Sequence, residues 1–427
     1  MWRKLAIVFS IALPSVFARL AGLHLDPGVT VLVFGAGVVA SAVLLAWAAE
    51  AAQLDISGAL ALAILALIAV LPEYAVDLYF AYTAGGNPEY AQFAAANMTG
   101  SNRLLIGIGW PLVAFIAFYA LRRARRPSGA PARSWRERLG GNLNLTAVVM
   151  PEHRRVELAF LAIASVYAFV IPLTRSIAWY DAVILLALFG AYLFRVTREG
   201  RGEPELVGVA AQIGELPPPA RRILVTGLFL AAAAIVISAA EPFANGLVDS
   251  GARFGIDQYL LVQWLAPLSS EAPELIVAAL LAYRMRAADG LGMLLSAKVN
   301  QWTLLVGSLW IAYRIGGGGV ALELDGRQTE EFLLTSAQAI LAFAVLANLR
   351  FGLWEAGALL VLFLLPFPFT DPSVRFVFSV VYLAIAAVLL VGQRRQLIPI
   401  FRSIGSWSHG PGGDLPGRTN PTPEAQR

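Results

Sequence analysis

The chain has 427 residues, of which 58% are hydrophobic and only 14% are charged; its net charge is +4 and its mean hydropathy is +0.68. Soluble domains carry about 25% charged residues, so this composition excludes an ordinary soluble protein and predicts a chain that crosses a membrane many times. The absence of cysteine excludes disulfides and thiolate metal sites. The excess positive charge is mostly arginine in predicted loops, which indicates membrane orientation and gives little support for nucleic-acid binding.

Apolar runs of membrane-spanning length recur along the whole chain. The predicted spans lie near residues 5–23, 28–52, 58–83, 90–120, 157–174, 178–197, 223–244, 258–283, 289–313, 330–348, 351–370 and 374–393. The first resembles a signal peptide, but no small-x-small cleavage site follows it, so we predict a retained helix. Pro366, Pro368 and Pro372 leave open whether 351–393 crosses once or twice. The count is therefore about twelve crossings, with about ten as the lower bound.

Arginine is concentrated in the largest polar loop, residues 121–156. Because positively charged loops stay on the cytoplasmic side, this loop is predicted to be cytoplasmic. Counting crossings outward from it places both termini in the cytoplasm as well. The loops predicted to lie outside are 24–27, 84–89, 245–257 and 314–329. The sequence thus predicts a multi-pass protein of the cell membrane.

The spans divide into two halves of similar make-up. The predicted division is 1–27, an additional N-terminal helix; 28–197, a first five-helix repeat; 198–222, a linker; 223–370, a second five-helix repeat; 371–402, a C-terminal helix; and 403–427, a disordered tail. The tail is rich in Gly, Pro, Ser and Arg, a composition that does not favour a packed core.

A Pro-Glu pair occurs near the middle of one apolar span in each half, as Leu71-Pro72-Glu73 and as Ala272-Pro273-Glu274. A charge at the bilayer centre costs on the order of 3 kcal/mol, so such acids usually face an ion or proton path. Pro72 and Pro273 each remove a helical N–H and free a carbonyl one turn earlier. Freed carbonyls beside a carboxylate suit hard cations. Glu73 and Glu274 are therefore predicted metal ligands.

The two Pro-Glu helices run in opposite directions across the membrane under the predicted orientation. The halves are therefore predicted to be inverted repeats, an arrangement typical of alternating-access carriers. Asp77 lies four residues after Glu73, and Glu271 lies three residues before Glu274, so each pair shares a helix face. The sequence predicts four acids at similar depth, with Lys298 as the positive charge opposite them.

A second repeated segment follows each Pro-Glu helix: Asn97-Met98-Thr99-Gly100-Ser101-Asn102 corresponds to the segment from Gly292 to Asn300. Together these motifs resemble the sodium/calcium exchanger (cation/Ca²⁺ antiporter) superfamily, in a divergent prokaryotic form. Its repeats carry Gly-Thr-Ser-Leu-Pro-Glu, followed by Gly-Asn-x-x-Gly-Ser-Asn. The resemblance implies an all-α polytopic membrane protein of two inverted five-helix repeats, here with one extra helix at each end. The implied and predicted ion-binding residues are Glu73, Glu274, Asp77, Glu271, Ser270, Ser101, Asn102, Lys298, Asn300 and Gln301.

The sequence departs from the family pattern at several of these positions. Ala69-Val70 replaces the Thr-Ser pair in the first copy, and Glu271 replaces the serine in the second. An acid or amide usually follows the partner-helix serine by four residues; here Leu105 stands at that position in one half and Gln301 in the other. Lys298 stands where the second motif would have asparagine. We hypothesise that Lys298 substitutes for one bound monovalent cation.

The expected function is secondary active exchange of Ca²⁺ for Na⁺ or H⁺ by alternating access at a midplane carboxylate site. The alternative is a Na⁺/H⁺ exchanger of the same fold that does not transport Ca²⁺. An enzyme is not expected, because His24, His153 and His409 all lie in predicted loops or the tail. No cofactor, nucleic acid or protein partner is predicted; the expected partners are the lipid bilayer and inorganic cations.

Overall fold

The computed structural model describes residues 1–55, 71–124, 143–144, 147–197, 206, 208–367, 369 and 372–405. The helices are α1 (Trp2–Leu20), α2 (Pro27–Ala52), α3 (Leu71–Gly86), α4 (Ala91–Leu104), α5 (Trp110–Ala124), α6 (Arg155–Tyr167), α7 (Val170–Thr174), α8 (Trp179–Thr197), α9 (Gly208–Gly214), α10 (Pro218–Phe254), α11 (Gln258–Ser270), α12 (Ala272–Tyr283), α13 (Ala287–Asn300), α14 (Val306–Ile315), α15 (Gly326–Leu346), α16 (Leu353–Leu364), α17 (Pro372–Gly392) and α18 (Arg394–Gly405). The strands are β1 (Leu143–Asn144), β2 (Ala147–Val149), β3 (Ser176–Ala178), β4 (Ala321–Glu323) and β5 (Arg350–Gly352). Two π-helical turns, Leu105–Gly109 and Gln301–Leu305, continue α4 and α13.

Among the described residues, seven helical segments are long and apolar enough to cross a membrane. They are Pro27–Ala52, Pro88–Arg123, Glu152–Thr174, Trp179–Val196, Pro218–Phe254, Gly326–Leu346 and Ser373–Gly392. The bent pair Gln258–Ser270 and Glu274–Tyr283 makes an eighth if it counts as one span. Large apolar side chains such as Leu230, Ile237 and Val388 are exposed, as expected of a surface that faces lipid. The predicted all-α polytopic architecture is confirmed.

Two short antiparallel sheets show that the halves are inverted relative to each other. Strand β2, which precedes α6, pairs with β5, which follows α15. Strand β3, which follows α7, pairs with β4, which precedes α15. The start of α6 therefore lies at the same end of the bundle as the finish of α15, and α6–α7 and α15 run in opposite directions. The two predicted inverted repeats are present.

The chain traverses the bundle twice after α15, which resolves the ambiguity of residues 351–393. Helix α16 starts at β5, and Pro366 beyond its end lines a cavity with Arg327 at the start of α15. Helix α17 returns, because Ser403 in the following α18 accepts a hydrogen bond at its carbonyl from Arg195, near the finish of α8. Helix α16 has only 12 residues, about 18 Å at 1.5 Å per residue, so the helix alone is shorter than the bilayer core.

The start of α10 and the end of α2 are held together by an ion cluster. Arg221 contacts Asp55 through two hydrogen bonds, of 2.5 and 2.9 Å, and Arg222 adds a third at 3.0 Å. The predicted linker 198–222 therefore includes ordered structure in its described part, namely α9 and the first turn of α10. The predicted tail begins inside α18, and residues 406–427 lie outside the described residues.

A close backbone approach sets the position of α4 against α11. A Cβ atom added to Gly100 would lie 1.7 Å from the carbonyl oxygen of Gln263, so only glycine allows this spacing. Small residues at helix contacts permit such packing in membranes, where no hydrophobic force draws helices together. The contact places Ser101 and Asn102, the next residues of α4, beside the break between α11 and α12.

Candidate ion-binding site

The second Pro-Glu motif lies at a break between two helices, as the sequence predicts for a broken span. Pro72 and Glu73 of the first motif lie in α3 next to residues 56–70, which are outside the described part of the chain. Pro273 and Glu274 lie in the first turn of α12. The chain bends by 54° between α11 and α12. The positive end of the α12 dipole favours a carboxylate at the position of Glu274.

One amide joins a carboxylate of the first repeat to a carboxylate of the second. The Nε2 group of Gln301 donates to Glu73 Oε1 at 2.9 Å and to Glu271 Oε1 at 2.8 Å. All three side chains are buried, with exposed fractions of 1% for Gln301, 7% for Glu73 and 2% for Glu271. Glu271 lies at the junction of α11 and α12, and Gln301 opens the second π-helical turn. The structure therefore builds the centre of the site from Glu73, Glu271 and Gln301.

Several oxygens around this bridge are buried without a hydrogen-bond partner. They are Glu271 Oε2, Glu274 Oε2 and Gln301 Oε1. The Ser101 hydroxyl lies against both Glu73 and Glu271 and can donate to either carboxylate. Buried polar atoms in native proteins are nearly always paired, so a group of unpaired oxygens indicates a place for a cation, a proton or water. This set of carboxylate, amide and hydroxyl oxygens fits hard cations.

The predicted residue Ser270 is buried, but its hydroxyl is used within its own helix. Its Oγ donates to the Ala266 carbonyl at 3.2 Å. Asn300 serves as a contact between repeats, because its Oδ1 accepts a hydrogen bond of 3.1 Å from the hydroxyl of Tyr74.

Lys298 donates its hydrogen bonds to Asn102. It acts on Glu73 and Glu271, two of the acids that it was predicted to face, through its charge alone. Its ammonium donates to the Asn102 carbonyl at 2.7 Å and to Asn102 Oδ1 at 2.5 Å, and it lies 5.1 Å from the centre of the Trp302 ring. Helices α4 and α13 both have 14 residues and both continue into a π-helical turn. Asn102 and Lys298 occupy the same position in these two helices. These two equivalent positions therefore contact each other at the pseudo-two-fold axis that relates the repeats. They form an unlike pair, with asparagine from one repeat and lysine from the other.

The four predicted acids are not joined by one set of hydrogen bonds. Glu73 and Glu271 share Gln301, whereas Asp77 adjoins Asn97 on α4. The charge of Glu73 nevertheless acts on each of the other three acids. Among the described residues, no group of three or more His, Cys, Asp or Glu side chains is arranged to hold a metal ion. A bound metal would therefore need amide, hydroxyl and backbone oxygens beside the carboxylates. The pairing of Glu73 with Glu274 as metal ligands stays a prediction.

An unpredicted ion cluster fixes α4 just beyond the site. Arg103 Nη1 lies 2.7 Å from Glu331 Oε2, and Arg375 Nε lies 2.8 Å from Glu331 Oε1. Arg103 also lies over the Trp264 ring at 5.2 Å. The cluster ties α4 to α15 and α17. The available signal was charge, since Arg103 and Glu331 are opposite charges within two apolar spans.

Comparisons with known proteins agree with this architecture. A sequence model of the family described as sodium/calcium exchanger protein matches residues 27–198 and 224–393. A crystal structure of the H⁺/Ca²⁺ exchanger CAX is 38% identical, with a TM-score of 0.85 over 94% of this chain and 97% of that one. No curated protein matches the sequence.

Two further structures share the fold at low identity. The structure of native YfkE is 15% identical, with a TM-score of 0.57 over 90% of this chain and 100% of that one. The sodium-calcium exchanger NCX_Mj, soaked with Na⁺ and Sr²⁺, is 18% identical, with a TM-score of 0.52 over 81% of this chain and 99% of that one. With inverted repeats that meet at a buried carboxylate site, and with both family-model segments matched, this multi-pass membrane protein belongs to the sodium/calcium exchanger family.

Proposed function

We propose that this protein exchanges Ca²⁺ for H⁺ across the membrane, with Glu73 and Glu271 as the shared binding groups. The observation that carries the proposal is the Gln301 amide, which holds one carboxylate from each repeat within hydrogen-bond distance of a single nitrogen. The choice of Ca²⁺ and H⁺ is supported by the 38% identical structure, which is that of an H⁺/Ca²⁺ exchanger.

The mechanism follows from the cost of burying charge. Two adjacent carboxylates in a low-dielectric site cannot both stay ionised unless positive charge offsets both. Lys298, which interacts with both acids, can offset only one of the two charges. Ca²⁺ can neutralise both at once, and protons can neutralise each separately. Either occupant therefore neutralises the carboxylates while the site is closed to both sides of the membrane. Closure of the empty site is unfavourable, because its remaining charge would be buried without a counter-charge. Competition between the two occupants couples their movements.

Each residue has a distinct part in this scheme. Glu73 and Glu271 supply the negative charge, and Gln301 holds them close while its own Oε1 stays unpaired. Ser101 adds a hydroxyl oxygen between the two acids. Pro273 has no N–H to donate to the Ser269 carbonyl one turn earlier, so this oxygen can serve as a neutral ligand at the helix break.

We infer that the end of the bundle that contains β2 and β5 faces the cytoplasm. Arg122, Arg123, Arg154 and Arg155 all lie at this end, near the finish of α5 or the start of α6. The loop 84–89 at the opposite end contains no arginine or lysine. The positive-inside rule assigns the arginine-rich end to the cytoplasm, and both termini then lie there.

The test is ⁴⁵Ca²⁺ uptake into proteoliposomes, driven separately by a pH gradient and by a Na⁺ gradient. We expect uptake under the pH gradient and its loss to background in Glu73→Gln. The matched control is Glu157→Gln, which changes a buried glutamate on α6 that forms an ion pair with Arg154. This variant should still transport Ca²⁺. Uptake driven only by the Na⁺ gradient would show that the coupling ion is Na⁺ and not H⁺.

Na⁺/H⁺ exchange without Ca²⁺ is the second candidate function. It is favoured by the lack of a group of three acids in the described residues, since monovalent cations need fewer charged ligands than Ca²⁺. Absence of Ca²⁺ uptake under both gradients, together with a pH change driven by Na⁺, would establish this function instead.

A further inference from the structure

Asp77 and Asn97 form a separate polar pair in the buried core. Both side chains have an exposed fraction of 0%. The Asn97 amide on α4 faces the Asp77 carboxylate on α3 as its side-chain hydrogen-bonding neighbour. The contact is loose, since none of the four side-chain polar atoms lies within strict hydrogen-bond limits of another group. The neutral amide leaves the Asp77 carboxylate without a positive partner at a fully buried place, which favours an occupant that carries positive charge.

This pair is distinct from the site bridged by Gln301. Asp77 follows Glu73 by one helical turn, about 6 Å along α3 at 1.5 Å per residue. The displacement is toward Gly86, where α3 ends, and the neighbouring Gly85 contacts Gly316 after α14. Asp77 therefore lies between the Gln301 bridge and the proposed outer face. Glu73 and Tyr74 are the titratable groups on the same helix that act on it, and α4 contributes the uncharged Asn97.

The charge and ligand count define what the pair can hold. An ionised carboxylate that is buried without a positive partner is strongly unfavourable. One carboxylate balances one positive charge. One carboxylate and one amide are too few for Ca²⁺, which takes six to eight oxygen ligands.

We propose that Asp77 and Asn97 form a separate site for one monovalent cation, a proton or Na⁺, which carries one counter-charge in each exchange cycle. The proposal rests on the proposed exchange function and adds to it. The Glu73–Glu271 site takes Ca²⁺, and Asp77 adds a counter-charge that this site alone would not carry. The Asp77 site lies along the route between the Ca²⁺ site and one side of the membrane.

The experiment measures the coupling ratio, the number of counter-ions moved per Ca²⁺. In voltage-clamped proteoliposomes, the imposed pH gradient or Na⁺ gradient that exactly balances a known Ca²⁺ gradient gives this ratio. We expect the ratio to fall by one in Asp77→Asn. A fall in the ratio measured with the pH gradient would assign a proton to the site, and a fall in the ratio measured with the Na⁺ gradient would assign Na⁺. An unchanged ratio in Asp77→Asn would overturn the proposal.

The matched control is Asp181→Asn. Asp181 is also fully buried, but both of its oxygens are partnered: Oδ1 accepts from the Tyr167 hydroxyl at 2.8 Å and Oδ2 accepts from the Ala178 amide at 2.8 Å. Its substitution should leave the coupling ratio unchanged. A fall in both variants would show that loss of any buried acid alters coupling, and would overturn the specific role of Asp77.

Binding measurements cover the case in which Asp77→Asn does not transport. ⁴⁵Ca²⁺ binding to the purified variant should persist, whereas Glu73→Gln should lose it; equal loss in both would place Asp77 in the Ca²⁺ site and overturn the proposal. If Asp77→Asn does not fold, Asn97→Leu should raise the half-saturating counter-ion concentration about tenfold with the half-saturating Ca²⁺ concentration unchanged. Equal changes in both concentrations would overturn it.

The proposed function can fail separately. If the wild-type protein moves no Ca²⁺ under either gradient, the exchange of Ca²⁺ is refuted. The number of Na⁺ moved per H⁺ is then compared between the wild type and Asp77→Asn. A change in this ratio would support the Asp77 site, and an unchanged ratio would overturn it.

Discussion

At the scale of single residues, the site depends on one neutral side chain that holds two charged ones. Gln301 reaches Glu73 and Glu271 with the same Nε2 group. A hydrogen bond from an amide to a charged group contributes about 1.5–3 kcal/mol to stability. Without this bridge, repulsion would hold the two ionised carboxylates farther apart until a cation binds between them. Gln301 therefore preorganises the acids before Ca²⁺ arrives.

Replacement of Gln301 by leucine tests this role. We expect Gln301→Leu to raise the half-saturating Ca²⁺ concentration for flux by about tenfold or more, because about 1.4 kcal/mol corresponds to a factor of ten. The control is Gln338→Leu, which removes a buried amide whose one hydrogen bond, to the Arg103 carbonyl, is long at 3.4 Å. A normal Ca²⁺ dependence in Gln301→Leu would contradict a preorganising role.

Lys298 supports a second prediction at this scale. Lys298→Asn removes two hydrogen bonds to Asn102, so we expect a lower unfolding temperature. If the lysine also substitutes for a bound monovalent cation, the variant will depend on counter-ions differently from the wild type. Thermal unfolding and the counter-ion dependence of flux measure the two effects. Unchanged ion dependence would leave Lys298 as a structural link between α4 and α13 alone.

At the scale of helices and strands, the contacts that position the site are backbone contacts. Helix α4 approaches α11 so closely at Gly100 that a methyl group would overlap the Gln263 carbonyl. This packing brings Ser101 beside Glu271, and the π-helical turns that follow α4 and α13 place Gln301 at the bridge. π-helical turns often mark functional sites.

The glycine contact predicts a large effect from a small substitution. Gly100→Ala should destabilise the fold by about 1–3 kcal/mol or prevent it from forming, because the backbone of α11 must move. Gly190→Ala is the control, since no atom lies within 4 Å of an added Cβ on α8. Thermal unfolding of the two purified variants tests this, and equal stability of both would contradict the packing argument.

The sequence predicted the elements better than their contacts. The second Pro-Glu motif identified the break between α11 and α12, because proline acts locally on its own helix. Charge identified Asp77 and Lys298 as unusual, but not their partners, because partners depend on the rotation and register of α4 against α3 and α13. The Arg103–Glu331–Arg375 cluster was missed for the same reason: its members lie far apart in the sequence and meet only through packing.

At the scale of the whole molecule, helices α1, α2, α9 and α10 share a second, smaller buried apolar cluster. Helices α1, α2 and α10 also contribute to the larger core that the other helices form. The Asp55–Arg221 ion pair closes the end of the smaller cluster. The guanidinium of Arg221 lowers the pKa of Asp55 to about 2, from an ordinary value of 3.8. Because the folded-state pKa is depressed, the pair contributes stability above the ordinary pKa and loses it as the pH falls toward the depressed one.

This pKa predicts a specific pH dependence. Asp55→Asn should lower the unfolding temperature by the same amount at all pH values from about 8 to about 5. The difference from the wild type should shrink only between pH 3.8 and about 2. Thermal unfolding of both proteins across this range measures it, and a difference that disappears near neutral pH would refute the assigned cause.

The unlike pair at the pseudo-two-fold axis bears on the history of the chain. An ancestor made of two identical half-chains, inserted in opposite directions, would bring each axial residue against a copy of itself. Two asparagines can share hydrogen bonds there, but two buried lysines would repel. The hydrogen bonds from Lys298 to Asn102 could therefore arise only after the two halves had separate coding sequences. A symmetric dimer of identical half-chains could not have accommodated this lysine.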